Sequence, residues 1–522
     1  MKTTTPLALA LTLCVSLTGC KLPEELRDEE PAEFPGAPEQ SPTETQPSAL
    51  DLQLSELINS LNLNQHPQRD LPSIEDELAQ LGKKLFFSKA LGGQQDSACV
   101  SCHHPALGGA DDLSLSVGVD ATNPDLLGLG RVHKDGEPLV PRNAPTVFNA
   151  GLWDIGLFHD SRVESLNVVA GSNGSTGDIR TPDSDFNVAD SQAGDNLTAA
   201  QARFPVTSNE EMRGNTFEAG ENNDAVRDHL AARIGNYGEG ENELNTNAWL
   251  SAFQQGFARN DDAQTLVTFD NIAHAIGEYE RSMVFTNHLW QQYMDGDLAA
   301  MSESAKQGAV LFFTRPQDGG AGCAACHNGQ LFSDQQHHVI AFPQIGLGKG
   351  DGTTGDDDFG RARESANDNE RYHFRTASLL NLAVSAPYSH SGSMPTLESV
   401  VRHYVNPTRS VDDYFDHRNG LGVCLLPQFT NLDGCEDLYP NAEANTLLAL
   451  NKLQQEQQNG TSRVPRNLRL NDTEVDQLVS FLEALTDPCV LDRECLAPWI
   501  PTENEAADNV QLNAINQAGN AL

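Results

Sequence analysis

Two short runs carry the clearest chemistry in the chain: Cys99-Val100-Ser101-Cys102-His103 and Cys323-Ala324-Ala325-Cys326-His327. Two cysteines separated by two residues and followed at once by a histidine form the attachment signature of a c-type haem. The thiols add across the two haem vinyl groups. The next residue is then held beneath the ring, where its imidazole reaches the iron. The spacing predicts two covalently bound haems, with His103 and His327 as proximal ligands. His104 lies one residue outside that geometry and is expected as an outer-sphere or surface residue. A zinc site would need a second pair of ligands beside each cysteine pair. The adjacent histidines at 103–104 and 337–338 keep zinc open by composition, but two complete motifs in an exported chain favour haem.

The elements that position these motifs read as helices. "SIEDELAQLGKKLFF" has Ser73 as its expected N-cap and an acidic first turn. "DNIAHAIGEYERSMVF" and "NDTEVDQLVSFLEALTD" carry apolar residues at helical spacing. "GKKLFF" from Gly82 precedes the first haem motif, and "GAVLFF" from Gly308 precedes the second by a similar gap. The economical reading is a mainly α chain with long loops and little sheet, built from two cytochrome c-like haem domains related by duplication. The expected boundaries are 66–297 and 298–500. Two Gly/Asp-rich stretches, around 171–197 and 346–360, read as surface loops or insertions. For the acidic tail at 501–522, packing across a partner subunit and a disordered end are both open.

Composition narrows the setting. With 74 acidic against 33 basic residues in 522, the net charge is −41, opposite to what a nucleic-acid binder needs. An acidic surface favours solubility and basic partners. Met1-Lys2 and the apolar run from Leu7 to Leu17 read as an export signal, too short for a permanent membrane span. The run ends in Leu17-Thr18-Gly19-Cys20, which resembles a lipoprotein lipobox. Cys20 is then the lipid site, residues 1–20 are the signal, and Cys14 leaves with it. Lys21 follows where an aspartate would mark inner-membrane retention, so a periplasmic lipoprotein anchored to the outer membrane is expected. Residues 21–65 are expected as a disordered acidic, Pro-rich tether. Cys424, Cys435, Cys489 and Cys495 remain. In an oxidising compartment they suggest disulfides, and sequence proximity favours Cys424–Cys435 and Cys489–Cys495.

From about residue 70 to about 490 the chain resembles the bacterial di-haem cytochrome c peroxidase family, including its MauG-like branch. The resemblance rests on ordered blocks: "LGKKLFF", "CVSCHHPALGGADD", "PRNAPTVFNAG", "FHDSR", "FPVTSNEEM", "CAACHNG", "FRTASLLNLAVSAPYSHSGSMPTLESVVRHY" and "LVSFLEALTD". It implies reaction of hydrogen peroxide at the N-terminal haem and electron transfer through the C-terminal one. It carries the family's distal glutamine and glutamate over to Gln201 and Glu211, with Pro205 between them. These are the groups expected to move a proton between the peroxide oxygens and polarise the leaving oxygen. Glu210, the neighbour of Glu211, illustrates the alternative of a plain surface acid.

Departures from the family pattern sharpen the reading. The block that usually ends in a haem-capping histidine reads "SVGVD", with Val119 at the histidine position. Haem 1 is therefore expected to be five-coordinate without reductive activation; His133, the nearest downstream histidine, is the alternative cap. At haem 2 the family's distal methionine position falls on Tyr404, the MauG pattern, with Met394 and His403 as rivals. "FHDSR" places His159 where the family has tryptophan, which puts rapid inter-haem hole transfer in doubt, and Trp153 stands at an unmatched position. The resemblance also implies a calcium ion held by Asn143 and the backbone carbonyls of Ser385 and Pro387; a purely structural turn is the alternative there. His390 matches a residue near the haem interface.

The resulting expectation is a di-haem peroxidase taking electrons from a small cytochrome c, a cupredoxin or another protein donor, with no nucleic-acid role and with a homodimer open. Three rivals stand beside it. One is a MauG-like enzyme that oxidises residues of a partner protein, and another is a non-catalytic di-haem electron carrier. The third, dioxygenase chemistry of the rubber-oxygenase kind, lacks positive support.

Overall fold

The computed structural model describes residues 46–522 except 240–242, 417–421, 467 and 504. The signal, the lipobox and most of the tether lie outside the described residues. Residues 47–522 form one compact unit. Its framework is two pairs of crossed helices, and each pair meets at a glycine.

In the first pair, Glu77–Phe86 crosses Phe269–Ser282. A β-carbon on Gly82 would stand 1.9 Å from the Ala275 carbonyl oxygen, so only glycine permits the crossing. In the second pair, Glu303–Phe313 crosses Asp472–Glu483, and a β-carbon on Gly308 would stand 1.9 Å from the Gln477 carbonyl oxygen. Leu85, Phe86, Ile272 and Tyr279 lie in one hydrophobic core, and Phe312, Phe313, Leu478 and Phe481 in the other. Each glycine-bearing helix runs into a loop that ends in a haem motif, and each motif opens a 3-10 turn, Cys99–Ser101 and Cys323–Ala325.

Local sequence explains where these helices begin. Thr268 caps Phe269–Ser282 through the Asn271 amide, and Asn471 forms a capping box with Glu474. The first helix starts later than expected. Asp76, not Ser73, is its N-cap; Ser73 instead accepts a hydrogen bond from the Glu75 amide at 3.2 Å, and its own N–H donates to Asp76 at 2.9 Å. The competing local turn consumes the residues that looked like a first helical turn.

Sheet is sparse. Gly156–Leu157, Val163–Ser165 and Ile179–Arg180 form a three-stranded antiparallel ladder, and His337–His338 pairs with Phe374–Arg375. What fixes these short strands is buried charge. Arg142 bonds Asp358 through Nε at 2.7 Å and Asp160 through Nη1 at 2.6 Å. Arg180 and Arg361 converge on Glu164 at 2.6 and 2.5 Å. This network ties the 156–165 hairpin to the 346–360 loop. That loop, expected at the surface, buries Asp357 and Asp358. The 171–197 stretch likewise buries Asn173, Ile179 and Arg180.

Two terminal expectations change. The tether expected over 21–65 gives way to a helix, Ala49–Leu61, opened by a Ser48–Asp51 capping box. Leu54 is buried, and Asp51 accepts from Lys306 at 2.7 Å and Tyr293 at 2.9 Å. Segment composition hid the amphipathic run that begins at Ala49. The 501–522 segment is neither disordered nor reserved for a partner, because it packs on its own chain. Asp508 accepts from Ser88 Oγ and Trp249 Nε1, both at 2.8 Å, and the Leu512 amide donates to Phe87 O at 2.8 Å. Cys424–Cys435 and Cys489–Cys495 are disulfides, the pairings that sequence proximity favoured. No helix among the described residues is long and apolar enough to cross a membrane.

Candidate active site

One cavity of about 410 Å³ is lined by both motifs: Cys99, Cys102 and His103 on one side, Cys323, Cys326 and His327 on the other. The four cysteines are free thiols. Each motif histidine is held by its inner nitrogen. His103 Nδ1 donates to Gly109 O at 3.2 Å, and His327 Nδ1 donates to Phe332 O at 2.9 Å. Because a carbonyl can only accept, the proton sits on Nδ1 and the Nε2 lone pair is left for a metal. Burial holds His103 neutral, down to about 4, and lowers His327 as well. Paired free thiols, an oriented neutral imidazole and a shared, largely apolar cavity fit two covalent haems.

The donor set fits zinc poorly. Among the described residues, no trio of metal-ligating side chains forms around Cys99 and Cys102. At the second motif Cys326, Asp334 and His338 converge, but Cys323 is not among them. His104 turns away from the cavity. Its Nδ1 accepts from the Ala106 amide at 3.1 Å and its ring packs edge-on against Phe87. It is buried, which removes the surface alternative for it.

On the Cys102 side, Glu211 and Gln201 both line the cavity, with Pro205 between them in sequence. Gln201 comes from the short helix Leu197–Ala202, and Glu211 from a single π-helical turn, Asn209–Arg213, whose start is capped by Ser208. Such turns project side chains out of helical register and recur at functional sites. Burial raises the Glu211 carboxyl above the usual glutamate range, while Arg162 and Lys349 draw it back. Val119 is buried, and its amide donates to Glu210 O at 3.3 Å. It is not on the cavity wall; Ser116 of the same segment is. Nor does His133 reach the wall, since its Nδ1 accepts from the Asp135 amide at 3.1 Å.

On the Cys326 side, Tyr404 lines the cavity from the helix Leu397–Val405. Burial raises its phenol, with smaller contributions from Cys326 and Cys323. Its rivals face elsewhere. Both ring nitrogens of His403 are engaged, by Ser410 Oγ at 3.0 Å and Ile340 O at 2.9 Å. Met394 is buried but absent from the wall.

Trp153, His159, Phe374, Arg375 and His390 also line the cavity. His159 donates through Nε2 to Asn143 O at 3.0 Å, and burial next to Arg142 lowers it to about 3. His390 stacks on Phe374 at 3.8 Å, and the Arg375 guanidinium lies 3.5 Å over Trp153. Asn143, Ser385 and Pro387 line the same cavity. The Asn143 side-chain amide donates to Leu113 O at 2.8 Å, which leaves its oxygen as the free donor atom.

Sequence reasoning missed the cationic residues of the wall, Arg142, Arg162, Lys349 and Arg375 among them. Arg162 lay in plain view in "FHDSR", whereas nothing in the Gly/Asp-rich 346–360 loop marks Lys349 as a wall residue.

Residues 76–299 match the family model for di-haem cytochrome c peroxidase. The chain is 28% identical over 357 residues to cytochrome c551 peroxidase of Pseudomonas aeruginosa, covering 68% of this chain and 79% of that protein. It is 27% identical over 342 residues to methylamine utilization protein MauG of Methylorubrum extorquens, covering 65% and 71%. Among solved structures, its fold resembles a MauG-like protein associated with microbial copper homeostasis, with a TM-score of 0.51 and 19% identity over 83% of this chain and 96% of that one.

Proposed function

From a chain that belongs to the di-haem cytochrome c peroxidase family, we propose a peroxidase whose hydrogen peroxide reacts at the Glu211 end of the cavity, with electrons passing through the Tyr404 end. The chain is an oxidoreductase acting on hydrogen peroxide. When bound, the two haems supply the iron that exchanges electrons with peroxide and donor.

The observation that carries the reading is the convergence of Glu211 and Gln201 on the same wall as Cys99, Cys102 and His103. Glu211 in its carboxylate form takes a proton from one peroxide oxygen and returns it to the other. Gln201 supplies an amide donor and an acceptor to orient the same molecule. His103, fixed through Nδ1, would hold one haem iron through Nε2. His327 would hold the other in the same way, and the Tyr404 oxygen would be a further ligand to it. The helix crossings at Gly82 and Gly308 support an origin by duplication, with haem domains near 66–297 and 298–500. Asn143 with the Ser385 and Pro387 carbonyls offers oxygen donors of the kind calcium takes. Export as an outer-membrane lipoprotein rests on the Leu17–Cys20 signature alone.

The electron donor class is a small cytochrome c or cupredoxin. Tyr404 favours a second reading, in which a partner protein's side chains supply the electrons. The test is the visible spectrum of the ferric protein on addition of hydrogen peroxide. A rapid change in the wild type that Glu211→Gln slows supports the reading, and no response in the wild type ends it. Turnover with reduced cytochrome c then separates the two donors.

A further inference from the structure

We infer that Lys349 and Arg162 form a small-anion site in the cavity wall beside Glu211, one that holds the hydroperoxide anion during turnover and takes other small monovalent anions in its absence. The inference rests on the peroxide reading of this end of the cavity and adds its recognition chemistry.

The two cations differ from Arg142, the other cation that acts on Glu211, in carrying no close carboxylate of their own. Arg142 is consumed by Asp160 and Asp358 in bonds of 2.6 to 2.8 Å. Arg375 spends its Nε on Phe158 O at 2.9 Å and its face on Trp153, with Nη1 unpartnered, but it does not figure among the charges acting on Glu211. Arg162 instead lies flat, 3.6 Å over the Phe158 ring, with its nearest carboxylate, Asp160, at 3.5 Å and already committed to Arg142. Its N–H edge is left to the cavity. The Lys349 amine, in the same wall, makes no hydrogen bond or ion pair with any described residue.

Lys349 is half-buried, and an ammonium partly withdrawn from water without a partner is costly unless a ligand answers it. Burial, then Arg162 and Arg142, depress the Lys349 amine, and Glu211 and Asp160 act in the other direction. The backbone around it is fixed without help from that amine. The Lys349 N–H donates to Asp357 O at 2.9 Å, Asp351 pairs with Arg363 at 2.5 Å, and Tyr372 donates to Asp357 at 2.8 Å. A rigid loop thus presents a free cation to the one carboxylate expected to accept a peroxide proton.

The chemistry closes without a further reactant. Hydrogen peroxide transfers one proton to the Glu211 carboxylate, which becomes the neutral acid, and the hydroperoxide anion keeps the charge. Lys349 and Arg162 hold that anion by charge-assisted hydrogen bonds.

The test is ligand titration of the ferric holoprotein, followed by its visible spectrum, with sodium azide as the anionic probe and imidazole as the neutral one. Lys349→Gln is expected to weaken azide about tenfold or more and to leave imidazole unchanged, while Lys349→Arg restores azide. Unchanged azide affinity in Lys349→Gln, or an equal loss of azide and imidazole, overturns the inference. So does a wild type that responds to peroxide but binds no azide. A wild type that binds azide but does not respond to peroxide overturns the peroxidase reading and leaves the anion site standing.

Discussion

Gly118 lies directly beneath Glu211: a β-carbon on Gly118 would stand 2.3 Å from the carbonyl oxygens of both Glu210 and Glu211 and 2.8 Å from Glu211 Cα. The segment that carries Val119 therefore does more than lack a histidine. Its glycine is the seat of the turn that aims the acid. Gly118→Ala is expected to push the 209–213 turn outward, at a cost of about 1–3 kcal/mol in stability. It should slow the peroxide reaction even though no wall residue has changed. Thermal unfolding and stopped-flow spectra of the variant check both effects.

Glu211→Gln removes the proton acceptor while keeping shape, and about a hundredfold or greater loss in the peroxide rate is expected. Because burial raises this carboxyl, its base form is lost already at pH values above the ordinary glutamate range. The wild-type rate should fall as pH drops, with its acid limb displaced upward from about 4.3. A rate–pH profile that stays flat through that region would contradict the assignment.

Arg142 neutralises two buried carboxylates. Burial alone would raise Asp160 and Asp358, but Arg142 holds both well below the usual aspartate range. Depressed carboxylates stabilise the fold fully above their unfolded value, about 3.9, and that contribution is lost progressively from there down through their lower folded-state values. Melting temperature should therefore drop steeply below about pH 4. Arg142→Met leaves both acids unpaired, and a loss of about 3–5 kcal/mol is expected in chemical denaturation.

Tyr404 is the only one of the three rivals for the second haem that lies on the cavity wall. Tyr404→Phe should change the ferric spectrum of one haem and spare the other. Tyr404→Met should raise that haem's potential in a redox titration, since a thioether favours the reduced metal. Identical spectra and potentials in both variants would remove Tyr404 as a ligand.

The C-terminal segment is anchored by Asp508, which satisfies two buried donors, Ser88 Oγ and Trp249 Nε1. Asp508→Ala is expected to cost about 1–3 kcal/mol for each donor left unpaired. It should also expose the segment beyond Ile500 to limited proteolysis, read by mass spectrometry.

Legibility differed by the range of the interaction. Asn471 and Glu474 form a capping box that spacing alone announces, and Cys489 pairs with Cys495 across only six positions. Such contacts are written within a few residues. Ser73 was misleading because Asp76 offered a competing turn. Lys349 and Arg162 were invisible as a pair, since 187 positions separate them and it is buried charge, from Arg142 and Arg361, that draws their segments together.

What the sequence determined by itself was covalent chemistry. CxxCH spacing dictates where thiols and imidazole stand relative to one porphyrin, and helical periodicity with caps dictates the elements that carry them. What only the tertiary structure decided was which side chains face the shared cavity. His104 and His403 are histidines beside functional positions, yet local hydrogen bonds and packing turn both away. Glu211 and Tyr404 face inward because a π-helical turn and a helix face present them. Facing is set by backbone register and by what packs behind it, and neither is encoded in residue type.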